Sequence, residues 1–466
     1  MPADKKKWHF GVLSFTGTGH LNPLIALSQE LKDRGHKVTF FEKPKIGARI
    51  RQAGLEFIPI GATAASNRPT PPSAHSGLLS EISMLRFNLA RVVRDIENYL
   101  RDTPIALSQA GVDALLINEI AVTGPTVAQL LGLPYFIIST TVPHHWGWEG
   151  YSWRTGYRYS ASCLSWIQRV FLEVSAMRVR GPIRRALERY RRREGLGNLR
   201  MAAASFPPLA HITQLPQCLD LPRKLVPGNF FYTAPWVSSA ARPRIAFPWE
   251  RLDGRPIIYA SLGTTRNAEP AVLRLIAQAC VGLDVQLVIS LGGRFDPEDF
   301  ADLPGRPLVV QFAPQLELLK IARIVISHGG PNTAFEALMA GKPMIVIPMA
   351  YDQPAIAARL ARLHIAKVLP IMRLSAARIR IAVITLLGDA SYKHAAVAMQ
   401  SALRNLRGST EASDIIEDAL EHYVDLQRIN TVAESPNTGY DDLASCATAP
   451  ASEVRDSRVS IAASKS

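Results

Sequence analysis

The feature that most constrains the fold is the stretch of residues 324–338, where a short apolar run leads through a glycine turn into a helix. The run at 324–326 is β-branched, which is typical of a buried parallel strand. The glycine pair at 329–330 lets the backbone turn sharply and lets another molecule approach it closely. Pro331 is a helix-start signal and Gly341 is a helix-stop signal. The stretch therefore predicts a strand, a tight turn and a helix of an α/β protein.

The start of this helix is predicted to bind an anion. A helix N-terminus presents unpaired backbone N–H groups and the positive end of the helix dipole. His328, Asn332 and Thr333 add side-chain donors beside it. Glu336 lies about one turn further along the same helix face, where it is placed to accept from sugar hydroxyls. Taken alone, the segment equally fits an ordinary strand–loop–helix connection in which His328 is a turn residue.

The flanking residues favour the binding interpretation. Phe312 and Gln315 lie upstream, and Asp352 and Gln353 follow the next predicted strand at 344–348. One region thus supplies an aromatic ring, an amide, a phosphate site, an acid for ribose and a second polar pair. These are the groups that a nucleotide sugar requires.

The run from Phe312 to Gln353 resembles the donor-binding signature of UDP-sugar-dependent glycosyltransferases of the two-Rossmann-domain (GT-B) type, the UDP-glycosyltransferases of family 1. The resemblance is greatest to carotenoid (zeaxanthin-type) glucosyltransferases, and it implies that Phe312 stacks on uracil while Gln315 contacts the base. Phe312 and Pro331 each stand at a position where plant members of the family have tryptophan. Bacterial members vary at both positions, so these differences do not remove the resemblance. The donor-binding residues that the resemblance implies are Ser261, Gly263, Thr264, Phe312, Gln315, His328, Gly330, Asn332, Thr333, Glu336, Asp352 and Gln353.

The first 42 residues read as a strand, a helix and a second strand, which is a Rossmann-like beginning. Asn22 is predicted to cap the helix and Pro23 to open it. The loop at 17–19 contains two glycines, so a nicotinamide site in an oxidoreductase is an alternative. That site needs a third glycine where Asn22 stands, and a lone pair of glycines is a weak signal.

In the family that the chain resembles, this loop carries the general base, and His20 stands at that position. An imidazole with an ordinary pKa near ~6.5 has a large neutral fraction that can accept a hydroxyl proton. The alternative is a histidine that caps a loop. Many family members place an aspartate where this chain has Asn118, with Glu119 beside it. Three outcomes stay open: Glu119 replaces the aspartate, Asn118 orients His20 more weakly, or the enzyme is slow.

The aromatic-rich segment at 141–153 is predicted to line an apolar acceptor pocket through Trp146 and Trp148. Local core beneath a loop is the alternative. His144 and His145 have no carboxylate or cysteine partner at ligand spacing, so no metal site is predicted.

Composition limits the classes of partner. The 466 residues are 47% hydrophobic and carry a formal net charge of +14. No zinc-finger spacing or RNA-binding strand motif accompanies that charge, so nucleic acid is not expected.

The arginine-rich segment at 178–200 is a solvated helix face or a contact with anionic lipid. The four scattered cysteines, and the lack of a signal-peptide core or of an apolar stretch of about 18 residues, favour a cytoplasmic protein.

The sequence therefore predicts an α/β fold of two Rossmann-like domains facing across a cleft. The predicted limits are 1–235 for the acceptor domain, 236–254 for the linker and 255–410 for the donor domain, with a disordered tail at 429–466. The resemblance implies that a helix at 411–428 crosses back to the first domain. It also implies a hexosyltransferase that moves glucose from a UDP-sugar to a lipophilic hydroxyl compound, with inversion and without a cofactor or partner protein. A carotenoid, polyketide, sterol or flavonoid acceptor fits this expectation, and the alternatives are an oxidoreductase and a nucleotide-sugar-binding protein of low activity.

Overall fold

The structure is a computed structural model. It describes residues 6–61, 78–143, 181–222, 226–238, 242, 245–263 and 269–434.

The first domain is built on a seven-stranded sheet in the order β3-β2-β1-β4-β5-β6-β7, in which all neighbouring strands are parallel. Its strands are β1 (His9–Leu13), β2 (Lys37–Glu42), β3 (Glu56–Pro59), β4 (Ala114–Asn118), β5 (Tyr135–Ser139), β6 (Ala210–Thr213) and β7 (Phe230–Tyr232).

The second domain has a six-stranded parallel sheet in the order β10-β9-β8-β11-β12-β13. Its strands are β8 (Ile257–Ser261), β9 (Gln286–Ser290), β10 (Leu308–Val310), β11 (Ala322–Ser327), β12 (Met344–Val346) and β13 (Ala366–Val368). Alternate residues of β11 pack into two different apolar clusters, Val325 into one and Ile324 and Ile326 into the other. Both faces of the sheet are therefore covered, which explains why this strand reads as a continuous apolar run.

Helices cover the sheets. They are α1 (Thr18–Asp33), α2 (Gly47–Gln52), α3 (Leu78–Ala110), α4 (Gly124–Leu131), α5 (181–193), α6 (Leu199–Ser205), α7 (Pro270–Cys280), α8 (Gln315–Ile321), α9 (Pro331–Met339), α10 (Gln353–Arg362), α11 (Ala376–Gly388), α12 (Ala390–Arg404) and α13 (Ser409–Glu434). The prediction that α9 begins at Pro331 is confirmed.

The predicted start of α1 is wrong. The helix begins at Thr18, so Asn22 and Pro23 lie inside it rather than at its cap. A proline inside a helix lacks the N–H that would bond to the carbonyl four residues earlier. For Pro23 that carbonyl belongs to Gly19, and it accepts a hydrogen bond from the Asn332 side chain of the second domain. A contact between domains thus satisfies the group that the proline leaves unbonded.

The last helix contacts the first domain. Arg34, at the end of α1, donates to Asp414 at 2.7 Å, and His36 Nε2 lies 2.9 Å from Glu417 Oε1. The helix runs past the predicted end at residue 428 to Glu434. The domain limits given above stay predictions, and residues 435–466 lie outside the described residues.

The arginine-rich segment differs from a uniformly solvated face. Arg191 is buried and donates to Gly197 O, Thr126 Oγ1 and Gln129 Oε1. The predicted lipid contact therefore does not extend to Arg191. Among the described residues, no helix is long and apolar enough to cross a membrane.

Candidate active site

The residues predicted to bind the donor meet at the carboxyl edge of the second sheet. Ser261 ends β8 and His328 follows β11, two strands that are direct neighbours. Parallel strands end at the same edge of a sheet, and ligands of open α/β sheets bind outside this edge. The structure thus brings together the turn after β8 and the turn before α9.

The imidazole of His328 lies between two glycines. A Cβ atom built on Gly263 would come within 2.6 Å of the ring, and one built on Gly330 within 2.5 Å. Gly263 also has a φ of +79°, which disfavours any other residue. His328 is 8% exposed, and burial lowers its pKa to about 4. The ring is therefore neutral at pH 7.

The N-terminus of α9 faces the cleft between the domains. Gly330 is the N-cap residue, with no side-chain cap, and Pro331 opens the helix. A first turn that no side chain caps leaves N–H groups available for an anion. Asn332 lies in this turn and lines the cleft, whereas Thr333 is buried.

Phe312 is an exposed aromatic ring beside the second sheet. Its side chain is 45% exposed, and the ring lies directly against Gly293, where a Cβ atom would overlap it. Gly293 has a φ of +78°. An exposed ring resting on a glycine suits the predicted stacking on a nucleobase.

Glu336 is buried and accepts hydrogen bonds from two side chains. Gln315 Nε2 donates to Glu336 Oε2 at 2.7 Å, and Arg242 Nη2 donates to Oε1. Burial raises the pKa of the Glu336 carboxyl, and the charge of Arg242 and the two hydrogen bonds oppose this rise. Gln315 also accepts from the Tyr259 hydroxyl at 3.1 Å, so its amide is held at Glu336 in this state.

The predicted donor-binding pair, Asp352 and Gln353, begins α10. Asp352 is the N-cap residue, and Gln353 Oε1 accepts from the backbone N–H groups of Met349 and Ala350 at 2.8 and 2.9 Å. The Gln353 side chain thereby supports the loop that follows β12.

His20 lies on the first turn of α1 at the carboxyl edge of the first sheet. Its Nδ1 is 2.8 Å from Thr140 Oγ1, and the Phe15 ring packs edge-on against the imidazole. Asn118 Nδ2 donates to the same Thr140 oxygen at 3.1 Å. Asn118 thus reaches His20 through Thr140.

The bonds of Asn118 fix the direction of its own hydrogen bond to Thr140. Its Oδ1 accepts from the Ile120 N–H, so its amide nitrogen faces Thr140. The Thr140 hydroxyl can either accept from a protonated His20 Nδ1 or donate its own proton to an unprotonated Nδ1, so the contacts fit both tautomers of neutral His20. Of the two, the Nδ1–H tautomer leaves Nε2 as the basic nitrogen.

Glu119 takes part in a separate buried cluster. Ser139 Oγ donates to Glu119 Oε2 at 2.6 Å and lies 2.6 Å from His211 Nε2. His211 Nε2 is also 4.0 Å from Glu119 Oε1. The choice between Asn118 and Glu119 as the support of His20 stays a prediction, although the contacts of Asn118 favour it.

A narrow cleft lies beside the predicted donor residues Asn332 and Glu336. Residues of both domains line it: Asn22, Gln214, Trp236, Val237, Ser238, Arg242, Asn332, Phe335 and Glu336. Its enclosed volume is about 10 Å³, which is room for about one water molecule. Across it, Asn332 Nδ2 donates to Gly19 O at 3.0 Å, and Gly19 immediately precedes His20. The helix predicted to hold phosphate and the predicted base therefore face each other.

Three predicted site residues lie outside the described residues, namely Thr264, Trp146 and Trp148. Sequence reasoning missed Thr140 and Arg242. Thr140 follows β5, the strand beside the one that ends at Asn118, so its place at a shared sheet edge was a usable signal. For Arg242, in the segment joining the domains, no local pattern pointed to Glu336.

Two family models match the chain, and together they cover more than half of it. Residues 12–141 match the glycosyltransferase family 28 N-terminal domain. Residues 274–418 match the erythromycin biosynthesis protein CIII-like C-terminal domain.

Curated relatives extend over almost the whole chain. Zeaxanthin glucosyltransferase of Pantoea ananas is 28% identical over 433 residues, covering 88% of this chain and 96% of that protein. The NDP-glycosyltransferase YjiC of Bacillus subtilis (strain 168) is 25% identical over 415 residues, covering 88% and 97%. Oleandomycin glycosyltransferase of Streptomyces antibioticus is 24% identical, covering 92% and 95%.

Solved structures share the fold. The glycosyltransferase of kitacinnamycin has a TM-score of 0.69 at 23% identity, covering 89% of this chain and 99% of that one. The glycosyltransferase VinC, solved in complex with dTDP, has a TM-score of 0.65 at 19% identity, covering 89% and 100%. These likenesses show a GT-B fold of two parallel-sheet α/β domains.

Proposed function

The chain belongs to the GT-B glycosyltransferases of family 1, and we propose that it transfers glucose from UDP-glucose to a hydroxyl of a lipophilic acceptor such as a carotenoid, with inversion. The observation that carries this proposal is the bond from Asn332 to Gly19, because it places the first turn of α9 opposite His20. A donor diphosphate at that turn would present its sugar to the base across the cleft.

The proposed reaction starts at His20 Nε2, which removes the proton from the acceptor hydroxyl. The acceptor oxygen then bonds to the anomeric carbon, while the bond from that carbon to the diphosphate oxygen breaks. Negative charge develops on the diphosphate, where the N–H groups and dipole of α9 stabilise it. Attack from the face opposite the leaving group inverts the anomeric centre.

The proton that His20 gains leaves the imidazole positively charged. Thr140 and Asn118 hold the ring by neutral hydrogen bonds, so neither supplies a negative charge. A carboxylate in the place of Asn118 would stabilise the imidazolium by charge as well.

The identity of donor and acceptor is a proposal supported by the relatives. The zeaxanthin glucosyltransferases favour glucose and a carotenoid. Oleandomycin glycosyltransferase favours a polyketide acceptor, and the structures bound to dTDP make thymidine nucleotides the competing donors. The absence of a cofactor requirement, the cytoplasmic location and the contact with anionic membrane stay predictions from the sequence.

Mass spectrometry of the products tests the proposal. The purified chain is incubated with UDP-glucose or dTDP-glucose and with zeaxanthin, a macrolide aglycone, a sterol or a flavonoid. We expect a mass increase of one hexose with UDP-glucose and zeaxanthin. Transfer only to another acceptor class would overturn the carotenoid assignment, and transfer only from the thymidine donor would overturn the uridine assignment.

His20→Ala tests the catalytic assignment. General base catalysis contributes about 10²- to 10⁴-fold, so we expect a loss of that size in kcat with little change in UDP affinity. His394→Ala is the matched control, because that histidine is exposed and lies on α12. An equal loss of transfer and of UDP binding in His20→Ala would contradict the base role.

A further inference from the structure

Arg242 belongs to the segment that joins the two domains, and its side chain enters the cleft. Its guanidinium forms an ion pair with Glu336 on α9. The Arg242 side chain is 23% exposed, whereas that of Glu336 is 1% exposed. Arg242 therefore lies at the mouth of the pocket whose floor holds Glu336.

The position of Arg242 relates it to the anion site. Arg242, Asn332 and Glu336 line the same cleft. Asn332 lies in the first turn of α9, and Glu336 follows one turn later on the same helix. An arginine side chain anchored beside Glu336 is thus about one helical turn from the N–H groups that attract a phosphate.

A second arginine approaches the cleft from the first domain. Arg49 Nη2 donates to Asn22 Oδ1, and Asn22 lines the cleft. Its Nη1 lies 3.5 Å from Thr18 Oγ1, and among the described residues its buried Nε has no hydrogen-bond partner. Arg49 is therefore held by neutral oxygens and has hydrogen-bonding capacity left over.

The two guanidinium groups repel each other. Burial lowers the pKa of Arg49, and the positive charge of Arg242 lowers it further. Glu336 is the single carboxylate among the described residues that line the cleft, and it is paired with Arg242. An anion that enters the cleft would relieve the repulsion and engage the remaining donors of Arg49.

We propose that Arg242 and Arg49 bind the diphosphate of the nucleotide sugar, an inference that rests on the proposed function. The planar guanidinium fork matches phosphate oxygens in a two-point contact. When the ribose hydroxyls of the donor bond to Glu336, Arg242 exchanges this carboxylate for the diphosphate. The anion is then held from both domains, by the N-terminus of α9 on one side and by Arg49 on the other.

The test compares UDP with uridine, which lacks the diphosphate. Both are titrated calorimetrically into the full chain, its Arg242→Ala variant and its Arg49→Ala variant. We expect each variant to bind UDP at least about tenfold more weakly, because a charge-assisted bond to phosphate is lost. We expect uridine affinity to stay constant or, in Arg242→Ala, to rise because Glu336 becomes available.

Arg251→Ala is the matched control, because Arg251 lies in the same connecting segment and is exposed. It should bind both ligands as the unaltered chain does. Arg242→Lys retains the charge without the fork and should bind UDP with an affinity between those of the unaltered chain and Arg242→Ala.

Other outcomes overturn the inference. An equal loss of UDP and uridine binding in Arg242→Ala would make Arg242 a structural support, and thermal unfolding would show the matching loss of stability. A gain for both ligands would make Arg242 only a barrier over Glu336. If the unaltered chain itself binds no UDP, the proposed uridine donor fails, and this result is distinct from equal UDP affinities in the unaltered chain and the variants.

Discussion

Asn332 Nδ2 donates to the backbone carbonyl of Gly19 at 3.0 Å, although 313 residues separate the two in the chain. The carbonyl is available because Pro23, four residues later in α1, has no N–H to bond it. The same Asn332 amide accepts a bond of 3.3 Å from Gln214. In this structure, therefore, the side chain that is predicted to bind the donor diphosphate is hydrogen-bonded to the first domain.

Pro23→Ala should strengthen the binding of UDP. Alanine at this position supplies the missing N–H, which then bonds to Gly19 O within the helix. Asn332 no longer has to give up that bond when the donor binds. We expect UDP affinity to rise by about fivefold, which corresponds to about 1 kcal/mol for one hydrogen bond, as measured by calorimetric titration.

Pro270→Ala serves as the control, because Pro270 opens α7 and its position lacks an intrahelical N–H bond in any case. It should leave UDP affinity unchanged. Unaltered or weaker UDP binding in Pro23→Ala would show that the bond to Gly19 does not oppose the donor.

Thr140→Val should lower kcat by about tenfold while KM for the donor stays constant. Valine has the same shape but lacks the hydroxyl that bonds His20 and accepts from Asn118, so the imidazole loses its support. Thr140→Ser keeps the oxygen and should retain most of the activity. The measurement is steady-state kinetics across pH 5 to 9.

The pH profile separates a positioning role from a general loss of structure. Loss of positioning lowers the plateau of kcat in Thr140→Val, and serine restores it. Equal activities of Val and Ser variants would contradict the positioning role.

Gly263→Ala should reduce both stability and UDP affinity. The new Cβ would meet the His328 ring at 2.6 Å, and the φ of +79° strains alanine in addition. We expect a loss of about 2–4 kcal/mol in the free energy of unfolding, measured with urea. UDP affinity should fall because His328 is displaced.

Gly254→Ala provides the comparison. Gly254 has a φ of +85°, but no heavy atom lies within 4 Å of an added Cβ. Gly254→Ala should lower the free energy of unfolding only by the backbone strain of about 1–2 kcal/mol, and UDP affinity should not change. Equal losses of unfolding free energy in the two variants would mean that the His328 ring moves away from the added Cβ without a cost.

Acid should destabilise the chain through His328. Its pKa in the folded state is about 4, against an ordinary 6.5, so between these values the unfolded chain binds more protons. Stability therefore falls as the pH drops from 6.5 towards 4. Relative to His328→Gln, the unaltered chain should lose about 2 kcal/mol between pH 7 and pH 5.

Urea unfolding at both pH values measures this difference, and His394→Gln is its control because that histidine is exposed. The His394 variant should follow the unaltered chain. The difference in the free energy of unfolding between the unaltered chain and His328→Gln should depend on pH. If it does not, the neutral, buried state of His328 is contradicted.

The second domain was the more predictable part of the fold. The β-branched run before Gly329 and Pro331 after it define β11, the turn and α9, because backbone conformation and burial on both faces act locally. Short strands such as β6 and β7 were missed, since three or four residues carry little periodicity. The start of α1 was misplaced because the bond that tolerates Pro23 comes from the other domain.

The candidate site also contains residues that the sequence predicted and residues that it did not. His20 and Asn118 were named because the chain resembles the glycosyltransferase family at those positions, and that resemblance assigned no role to Thr140. The place of Thr140 after β5 was a usable signal, although Thr140 lies 120 residues from His20 in the chain and no spacing rule connects such a pair. Arg242 is a similar case, since its ion pair with Glu336 spans 94 residues.

The small cleft has a consequence for the catalytic cycle. A space for about one water molecule is far smaller than a nucleotide and its sugar, so among the described residues this cleft is too small to hold a donor as it stands. Arg359 and Asp220 form a buried ion pair between the domains at 2.6 Å, and parting them while either charge stays buried would be unfavourable. A donor that enters this cleft therefore has to displace the side chains that line it.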